Sequence, residues 1–368
     1  MIADVDKSIP MERLLHIFPG SPSPRHAQSG GGKGIKIFES YFEDNSVPVD
    51  SIVLHSKSDW ELLKILRKGG IEKYSHALIH YPMFIFSVLY LKVKYPNLII
   101  VVRSHNAEFP HWLQHAYLEC KENNIKRSLK CLFVAMRNGL GELVMARCAH
   151  FILAITEWET THYWMKIAPS DRVLYTPYFL PDGLAIQEDL KPVTVKRCVC
   201  LMAPSHSSFL YNAAKNFNYL ASGYTGCDDW SFCITGDEKN VPRSLASNIQ
   251  KVGFVDDVEK FLRCSAAIAI LTEFGFGFKT KILEAAAAGC WSLVPVKTMR
   301  FIPDAVKCFC IPVDIGCKKS FDAALTESLR SPPCFEDVND QLKNRVKKSL
   351  VNSLGLEWSS NASKRCEK

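Results

Sequence analysis

Two glycines and two lysines stand close together in the segment LTEFGFGFKTKILEAAAAG (271–289). The pattern predicts a strand, a loop, and then a helix that begins near Lys281. Gly275 and Gly277 let the backbone approach a ligand closely or adopt positive φ angles. Lys279 and Lys281 add two cations beside the unpaired N–H groups of a helix N-terminus. This combination indicates a site for an anion, because ammonium groups act as point charges on phosphate oxygens.

A carboxylate follows on the same helix. Glu284 lies three residues after Lys281, so the two side chains share one helix face. The carboxylate can accept two hydrogen bonds from a vicinal diol such as a ribose. With Thr280 between the two lysines, these groups fit a sugar nucleotide: lysines and loop amides for the diphosphate, and Glu284 for the ribose. The alternative is a surface pair of Lys281 with Glu284, beside a loop that only connects two elements.

A second polar cluster follows the most apolar predicted strand, NLIIVV (97–102), and consists of Arg103, His105, Asn106 and Glu108. Functional side chains are commonly carried at the carboxyl ends of parallel strands. The cluster therefore predicts a second wall of a binding site. The alternative is helix capping, with Asn106 at the N-cap and Glu108 in the first turn.

A glycine-rich stretch, SGGGKG (29–34), follows the first predicted strand and predicts a loop. It is not a dinucleotide fingerprint, because Ile35 takes the place of the last glycine. It is not a Walker A motif either, since neither Ser nor Thr follows Lys33. Gly31 and Gly32 are still candidates for close approach to a diphosphate or an acceptor; a flexible surface loop is the alternative.

The elements that must position these residues alternate along the chain. Short β-branched runs and longer helical stretches predict an α/β fold with parallel sheets. The series pauses after Tyr178, in a stretch with proline and glycine, and restarts at Cys198. We predict two tandem Rossmann-like domains over 1–183 and 184–335, facing a cleft that holds two substrates. A terminal helix and tail (336–368) can pack back on the first domain.

Composition excludes several classes of protein. Of 368 residues, 47% are hydrophobic and 23% charged, which excludes a disordered chain. The net charge of +7 without a basic run of five or more argues against a nucleic-acid partner and suits an anionic ligand. The most apolar stretch (83–93) is about half of the roughly 20 residues that cross a bilayer.

Two features of the sequence bear on the cellular location of the protein: its N-terminus and its cysteines. The beginning, MIADVDKSIPMER, lacks the apolar region of a secretory signal. The fourteen cysteines contain no C-x2-C pair, which argues against a zinc site. Cys198 and Cys200 alternate within an apolar run and predict small buried side chains. We therefore expect reduced thiols in a cytoplasmic protein.

The segment GFKTKILEAAAAG (277–289) resembles the donor-binding segment of glycosyltransferases with the GT-B fold, in particular the retaining family-4 group. Nine positions match the approximate pattern G-x-[RK]-x-K-[IV]-L-E-A-x-A-x-G: Gly277, Lys279, Lys281, Ile282, Leu283, Glu284, Ala285, Ala287 and Gly289. The preceding VGFVDDVEKFLRCSAAIAILT and the helix SSFLYNAAKNF are also similar. The resemblance is strong over about residues 196–314 and weaker over the first half.

The sequence departs from that family in two places. The fuller family signature, E-x7-E, places a glutamate eight residues before Glu284, where this chain has Phe276. Glu273 lies eleven residues before and substitutes only if the loop is rearranged. The usual Arg and Lys after the first strand of the second domain are also missing. Lys279 is our candidate for the lost cation, and Ser205 for a neutral phosphate donor.

The resemblance implies a hexosyltransferase that uses a UDP- or GDP-sugar as substrate, retains the anomeric configuration and needs no metal or other cofactor. It implies that His105 lines the cleft near the transferred sugar, so that His105 and Lys279 are the predicted catalytic residues and Arg103, Asn106 and Glu108 lie on the acceptor side. The acceptor would be a glycan, a lipid-linked sugar or a small molecule, as in polysaccharide biosynthesis. A GT-B sugar-nucleotide epimerase and a non-catalytic binding protein are the alternatives.

The helical stretch over 109–149, which we predict to be broken near Asn123 and Asn124, mixes aromatic and basic residues. Trp112, Phe133 and Met136 stand near Lys130 and Arg137. Such a helix could contact an anionic membrane that carries a lipid-linked acceptor, which would place the protein at the inner face of a membrane. Core packing of these apolar side chains is the interpretation that the sequence favours.

Overall fold

The structure, a computed structural model, describes residues 12–20, 30–55, 58–181, 196–200, 207–224, 226, 230–236, 238 and 241–355. The chain divides into two compact units. The first contains the residues up to Phe109, Val134–Tyr178 and the residues from Lys343 on. The second contains Pro110–Phe133 and Phe179–Leu342.

The first unit is built on a six-stranded parallel sheet in the order β2-β1-β3-β4-β5-β6. Its strands are β1 (Leu14–Pro19), β2 (Val49–Leu54), β3 (His76–His80), β4 (Ile99–Arg103), β5 (Phe151–Ala154) and β6 (Val173–Tyr175). Along the chain, the helices between these strands are α1 (Gly30–Asp44), α2 (Asp59–Leu66), α3 (Ile85–Lys94), α4 (Glu108–Lys121) and α5 (Ile125–Cys148). Most of α4 and the beginning of α5 lie within Pro110–Phe133 and so belong to the second unit. Short helical turns at Glu157–Glu159, Thr160–Trp164 and Met165–Ile167 precede β6. Every residue of β1, β3 and β4 is buried, as expected for parallel strands covered on both faces.

The second unit repeats the plan, with the parallel order β12-β11-β10-β7-β8-β9. Its strands are β7 (Arg197–Cys200), β8 (Ser231–Thr235), β9 (Ile249–Gly253), β10 (Ala267–Ala269), β11 (Trp291–Pro295) and β12 (Cys310–Val313). Its helices are α6 (Ser208–Ala221), α7 (Val258–Arg263), α8 (Thr280–Ala287), α9 (Lys318–Glu327) and α10 (Phe335–Leu354), which runs past the boundary between the units. This is the strand order of a Rossmann fold, in which the chain reverses direction between its first and fourth strands, here β7 and β10.

The second sheet is covered by apolar side chains on both faces. Cys198 and Cys200 belong to the cluster on one face, and Val199 belongs to the cluster on the other. Alternate residues of a strand point to opposite faces, so the two thiols pack as small apolar groups. The prediction that they are buried is confirmed, with both side chains fully inaccessible.

The break predicted within residues 109–149 is confirmed. Helix α4 ends at Lys121 and α5 begins at Ile125, with Asn123 at a φ of 58° between them. Asparagine tolerates this left-handed conformation better than most residues do. The turn separates two helices that the apolar pattern alone would join.

The glycine-rich stretch differs from the sequence prediction. We expected a loop up to Ile35, but α1 begins at Gly30, which places Gly31 and Gly32 in its first turn. The buried residues Ile35 and Phe38 give the helix an apolar face that outweighs the low helix propensity of glycine.

The preference for core packing along residues 109–149 is wrong for α5. Leu132, Phe133 and Met136 are 42%, 72% and 61% exposed. The helix instead buries a face that includes the small residues Cys131 and Ala135. Small side chains let α5 lie close to its neighbours, and the larger ones point to solvent.

Candidate functional site

The loop between β10 and α8 begins beside the point where the second sheet reverses its strand order. Gly275 and Gly277 have φ angles of 95° and 88°, which side chains rarely tolerate. The sequence prediction of positive φ at these glycines is confirmed. The loop then leads into the first turn of α8 at Thr280, whose N-cap position is Lys279. We call residues 271–279 the donor loop, after the glycosyltransferase segment that the sequence resembles.

The two lysines of this segment have different surroundings. The Lys279 ammonium donates a hydrogen bond to the carbonyl oxygen of Gly275 at 3.0 Å, so it closes the donor loop on itself. The charge of Lys281 opposes the burial that raises the pKa of the Cys200 thiol to about 12. Because Cys200 is the last residue of β7, Lys281 lies within electrostatic range of the strand end at which Rossmann folds bind their ligands.

The other residues predicted to bind the donor differ in their burial. Thr280 and Glu284 are half-buried, while Ala285 and Ala286 are buried toward the sheet. Ala285 packs in the apolar cluster that contains Val199 of β7 and Ile268 of β10, so small side chains let α8 approach the sheet closely. Ser205 lies outside the described residues.

Phe276 replaces the expected glutamate with an aromatic contact. Its ring is perpendicular to that of Phe301, with 5.1 Å between the ring centroids. Glu273 forms an ion pair with Lys297 at 3.1 Å. Glu273 therefore pairs with Lys297 and does not occupy position 276, where the family signature has its first glutamate.

Sequence reasoning missed the contribution of α4 to this loop. The Gln114 side-chain oxygen accepts a hydrogen bond from the Gly275 amide at 2.6 Å. The Tyr117 and Phe274 rings also meet, with centroids 5.9 Å apart. Both α4 residues belong to the second unit although they precede most of it by more than sixty residues. The sequence around Gln114 and Tyr117 does not indicate that these residues contact a loop more than 150 positions away.

One imidazole of α4, that of His111, is half-buried and lies within electrostatic range of Lys279. Burial lowers the pKa of His111 well below its usual value, and the charges of His115 and Lys279 act in the same direction. Its Nδ1 atom is buried and has no hydrogen-bond partner among the described residues. The ring packs against Phe209 of α6 with 5.0 Å between centroids. A neutral imidazole with an unused nitrogen therefore lies within electrostatic range of Lys279.

In the first unit, Arg103 is the last residue of β4 and is fully buried. Its Nη1 donates to the Thr176 carbonyl, and its guanidinium lies 5.2 Å and 5.3 Å from the ring centroids of Phe38 and Tyr178. Nε and Nη2 have no hydrogen-bond partner among the described residues. Burial lowers the pKa of Arg103 to about 10, so the group stays protonated at neutral pH.

His105 takes part in a chain of buried hydrogen bonds. Its Nδ1 is 2.7 Å from the Tyr178 hydroxyl and its Nε2 is 2.9 Å from Nδ1 of His80. The Nε2 of His80 in turn is 2.8 Å from Nε2 of His16. We call these four residues the histidine chain. Because both ring nitrogens of His105 have protein partners and the side chain is only 4% exposed, a ligand would have to displace one of these bonds to reach it.

The capping alternative is confirmed for Glu108, which lies in the first turn of α4, whereas the first amides of that helix bind carboxylates of other elements. Its first residue, Glu108, and the next donate their amides to the Glu142 carboxylate at 2.6 and 3.1 Å. The Ala107 amide donates to Glu159 at 2.8 Å. Carboxylates from other elements therefore take the role expected of Asn106, which is half-buried.

The architecture defines the class of fold. Two Rossmann-like units, each on a six-stranded parallel sheet, constitute the GT-B fold of glycosyltransferases. Solved structures of that class align with nearly the whole chain. Anabaena Alr3699/HepE in complex with UDP and glucose has 10% sequence identity and a TM-score of 0.55, over 93% of this chain and 95% of its own.

Two further structures show the same fold. Sucrose-phosphate synthase from Thermosynechococcus elongatus has 12% identity and a TM-score of 0.58, over 91% of this chain and 94% of its own. A glycosyltransferase from Rickettsia africae has 14% identity and a TM-score of 0.55, over 96% and 99%. No protein-family model and no curated protein matches the sequence.

Substitution of Gly275 tests the geometry of the donor loop. A Cβ at this position would lie 2.9 Å from the Lys279 ammonium, and the φ of 95° strains any L side chain. We expect Gly275→Ala to destabilise the second unit by roughly 1–2 kcal/mol, because the new side chain strains the backbone and displaces the Lys279 ammonium. Thermal unfolding measures the effect. Gly316→Ala is the matched control, because its Cβ would meet only Asp314 at 3.5 Å; equal behaviour of the two variants would contradict the prediction.

Proposed function

We propose that the protein transfers a sugar from a nucleotide-diphosphate sugar to the hydroxyl of a glycan, a lipid-linked sugar or a small molecule. The observation that carries the proposal is the donor loop: left-handed glycines, two lysines and a half-buried glutamate beside the reversal point of a Rossmann sheet. The HepE structure with UDP and glucose supports a UDP-sugar as the first donor to test.

The chemistry follows from the charge that the reaction creates. Transfer breaks the bond between the anomeric carbon and a phosphate oxygen, and negative charge develops on the departing diphosphate. Donor groups already in place stabilise such charge more effectively than groups that must reorganise. Lys279, Lys281 and the loop amides are the groups suited to this role, with Glu284 on the ribose. Lys279 must release the Gly275 carbonyl, or contact the phosphate with its remaining protons.

The first unit carries the residues that we propose for the sugar and the acceptor. Arg103, with two unused nitrogens, and His105 follow the carboxyl end of β4. We propose that His105 acts on the reacting sugar, while Tyr178 and His80 hold its ring in place through the histidine chain. Asn106 and Glu108 are proposed on the acceptor side, and Gly31 and Gly32 near the diphosphate.

Retention of configuration, independence of metal ions and a cytoplasmic location complete the proposal. Among the described residues, no cluster of three His, Cys, Asp or Glu side chains has the geometry of a metal site. The described cysteines are free thiols, which suits a reducing compartment. Polysaccharide biosynthesis is the process that such a transferase would serve.

The test begins with a thermal-shift screen of UDP, GDP, ADP and their sugars, because a ligand that binds the folded state raises its stability. The donor found is then incubated with glycan and lipid-linked acceptors, with and without EDTA, and the anomeric configuration of the product is read by NMR. We expect one nucleotide to bind and its sugar to be transferred with retention, unaffected by EDTA. Formation of an epimer without an acceptor, or tight nucleotide binding with no turnover of any donor, would contradict transfer.

A further inference from the structure

One face of α5 exposes large apolar side chains along most of the helix. They are 42–72% exposed: Ile125, Leu129, Leu132, Phe133, Met136, Leu140 and Leu143. Their spacing of three, four and seven residues places them within an arc of about 100° at 3.6 residues per turn. We call this set the apolar stripe. The helix has a separate buried face, which includes Cys131, Ala135 and Met145, so the apolar stripe is an additional surface and not the side that holds α5 in the fold.

Such a surface is unusual on a helix that already has a buried face. The outer side of a surface helix is normally polar, and large exposed apolar patches mark sites of interaction. The exposed side chains follow one another for 19 residues, or roughly 28 Å at 1.5 Å per residue. Singly exposed apolar residues need no explanation, but a continuous row of seven does.

Cations lie along one border of the apolar stripe. Lys126, Lys130 and Arg137 are exposed and lie at about 100–140° on the helical projection, next to the stripe at 3.6 residues per turn. Arg147 is exposed beyond its end. The acidic residue of α5, Glu142, is buried under the N-terminus of α4. The exposed side of the helix is thus apolar in the middle and positive at its border.

We infer that α5 docks on an anionic phospholipid membrane, with the apolar stripe in the acyl boundary and the bordering cations on lipid phosphates. Interfacial helices have this distribution of side chains, and long basic side chains reach the headgroups while their methylene stems cover apolar surface. None of the described helices combines the length and hydropathy needed to cross a bilayer, so the helix would lie in the interface.

The charges favour a membrane over a second copy of the chain. Antiparallel pairing of two identical stripes would bring their cationic borders to the same side, in a protein whose net charge is already +7. An anionic surface instead complements both the apolar and the basic part of the face. The inference does not depend on glycosyl transfer, since lipid binding is measured without any donor or acceptor.

Sedimentation with vesicles tests the inference on the full-length chain. Vesicles of phosphatidylcholine with one quarter phosphatidylglycerol are compared with phosphatidylcholine alone, at 50 and 300 mM NaCl. We expect binding to the anionic vesicles, roughly tenfold weaker binding at the higher salt, and little binding to neutral vesicles.

Two variants assign the binding to α5. Leu129→Ser, Phe133→Ser and Leu140→Ser together remove the centre of the apolar stripe, and Lys126→Glu, Lys130→Glu and Arg137→Glu together reverse its border. Each triple variant should weaken vesicle binding by roughly tenfold or more. Because all six side chains are exposed, the thermal midpoint should change little, which separates lost binding from lost folding.

A matched control replaces exposed apolar residues of other elements, Phe254→Ser, Val296→Ser and Leu329→Ser, and should bind as the unmodified chain does. Failure of the unmodified chain to bind anionic vesicles would overturn the inference. So would binding that survives both α5 variants, or a concentration-dependent dimer that the serine variant dissociates, measured by light scattering.

Discussion

On the proposed function, replacing Lys279 with alanine should weaken UDP binding by roughly 10- to 100-fold, the range that corresponds to a charge-assisted hydrogen bond. The expected loss has two origins, because the Lys279 ammonium both carries charge and bonds to the Gly275 carbonyl. Lys279→Arg keeps the charge but changes the geometry, and should retain part of the affinity. Calorimetric titration with UDP measures each variant.

Glu284→Ala should weaken UDP binding by roughly tenfold if its carboxylate holds the ribose. Titration with 2′-deoxy-UDP isolates that contact. The unmodified chain should prefer UDP over the deoxy compound, and the Glu284→Ala variant should not distinguish them, since the partner of the 2′-hydroxyl is gone.

The control for both substitutions is Lys251→Ala, which removes a lysine of the same unit that pairs with the exposed Glu238. This variant should bind UDP as the unmodified chain does. Unchanged affinity in both Lys279→Ala and Glu284→Ala would remove the two residues from the site, and with them the basis of the proposed function.

Lowering the pH from 7 to 5 should destabilise the first unit by several kcal/mol. Burial lowers the pKa of His16 to about 3 and those of His76 and His150 to about 4, and it lowers the pKa of His80 well below its usual value. Below pH 6.5 the unfolded chain binds protons that the folded chain excludes, so the free energy of unfolding falls with pH. A histidine with a folded pKa of 3 to 4 accounts for about 2 kcal/mol at pH 5.

Glu142 acts in the opposite direction. Burial raises its pKa to about 8, so the folded chain holds a proton there that the unfolded chain releases near pH 4.5. Its contribution to stability therefore increases as the pH falls from 8 to 4.5, and it offsets part of the loss from the four histidines.

Urea unfolding of the unmodified chain and of His16→Gln, each at pH 7 and pH 5, measures the effect. The variant removes one titrating ring while its amide can still hydrogen-bond to His80. We expect the pH-dependent loss of stability to be about 2 kcal/mol smaller in His16→Gln. An equal loss in both proteins would show that His16 does not remain neutral in the folded chain.

The sequence predicts those features whose determinants are local. The left-handed glycines of the donor loop, the turn at Asn123 and the buried thiols of β7 each depend on residues within a few positions. The Rossmann-like architecture follows from the alternation of strand and helix patterns, which is a sum of such local signals.

The features that the sequence did not predict depend on residues far apart in the chain. Gln114 meets Gly275 across 161 positions, and the histidine chain joins His16 to Tyr178 through two other segments. The sequence around a single histidine in an apolar strand does not indicate which residue will form a hydrogen bond with it. The start of α1 was also misplaced, because propensity argues against glycine while the buried face of the whole helix decides the outcome.

The histidine chain has a polarity. A neutral imidazole carries one proton, so each ring donates at one nitrogen and accepts at the other. If the Tyr178 hydroxyl donates to His105, the order of donors runs inward and ends with a proton on Nδ1 of His16, which has no partner among the described residues. If Tyr178 accepts, every proton is shifted the other way and that nitrogen is bare. The tautomers of three rings are therefore set together, and a change of hydrogen bonding at Tyr178 alters the protonation of an atom of β1 without any movement of the backbone.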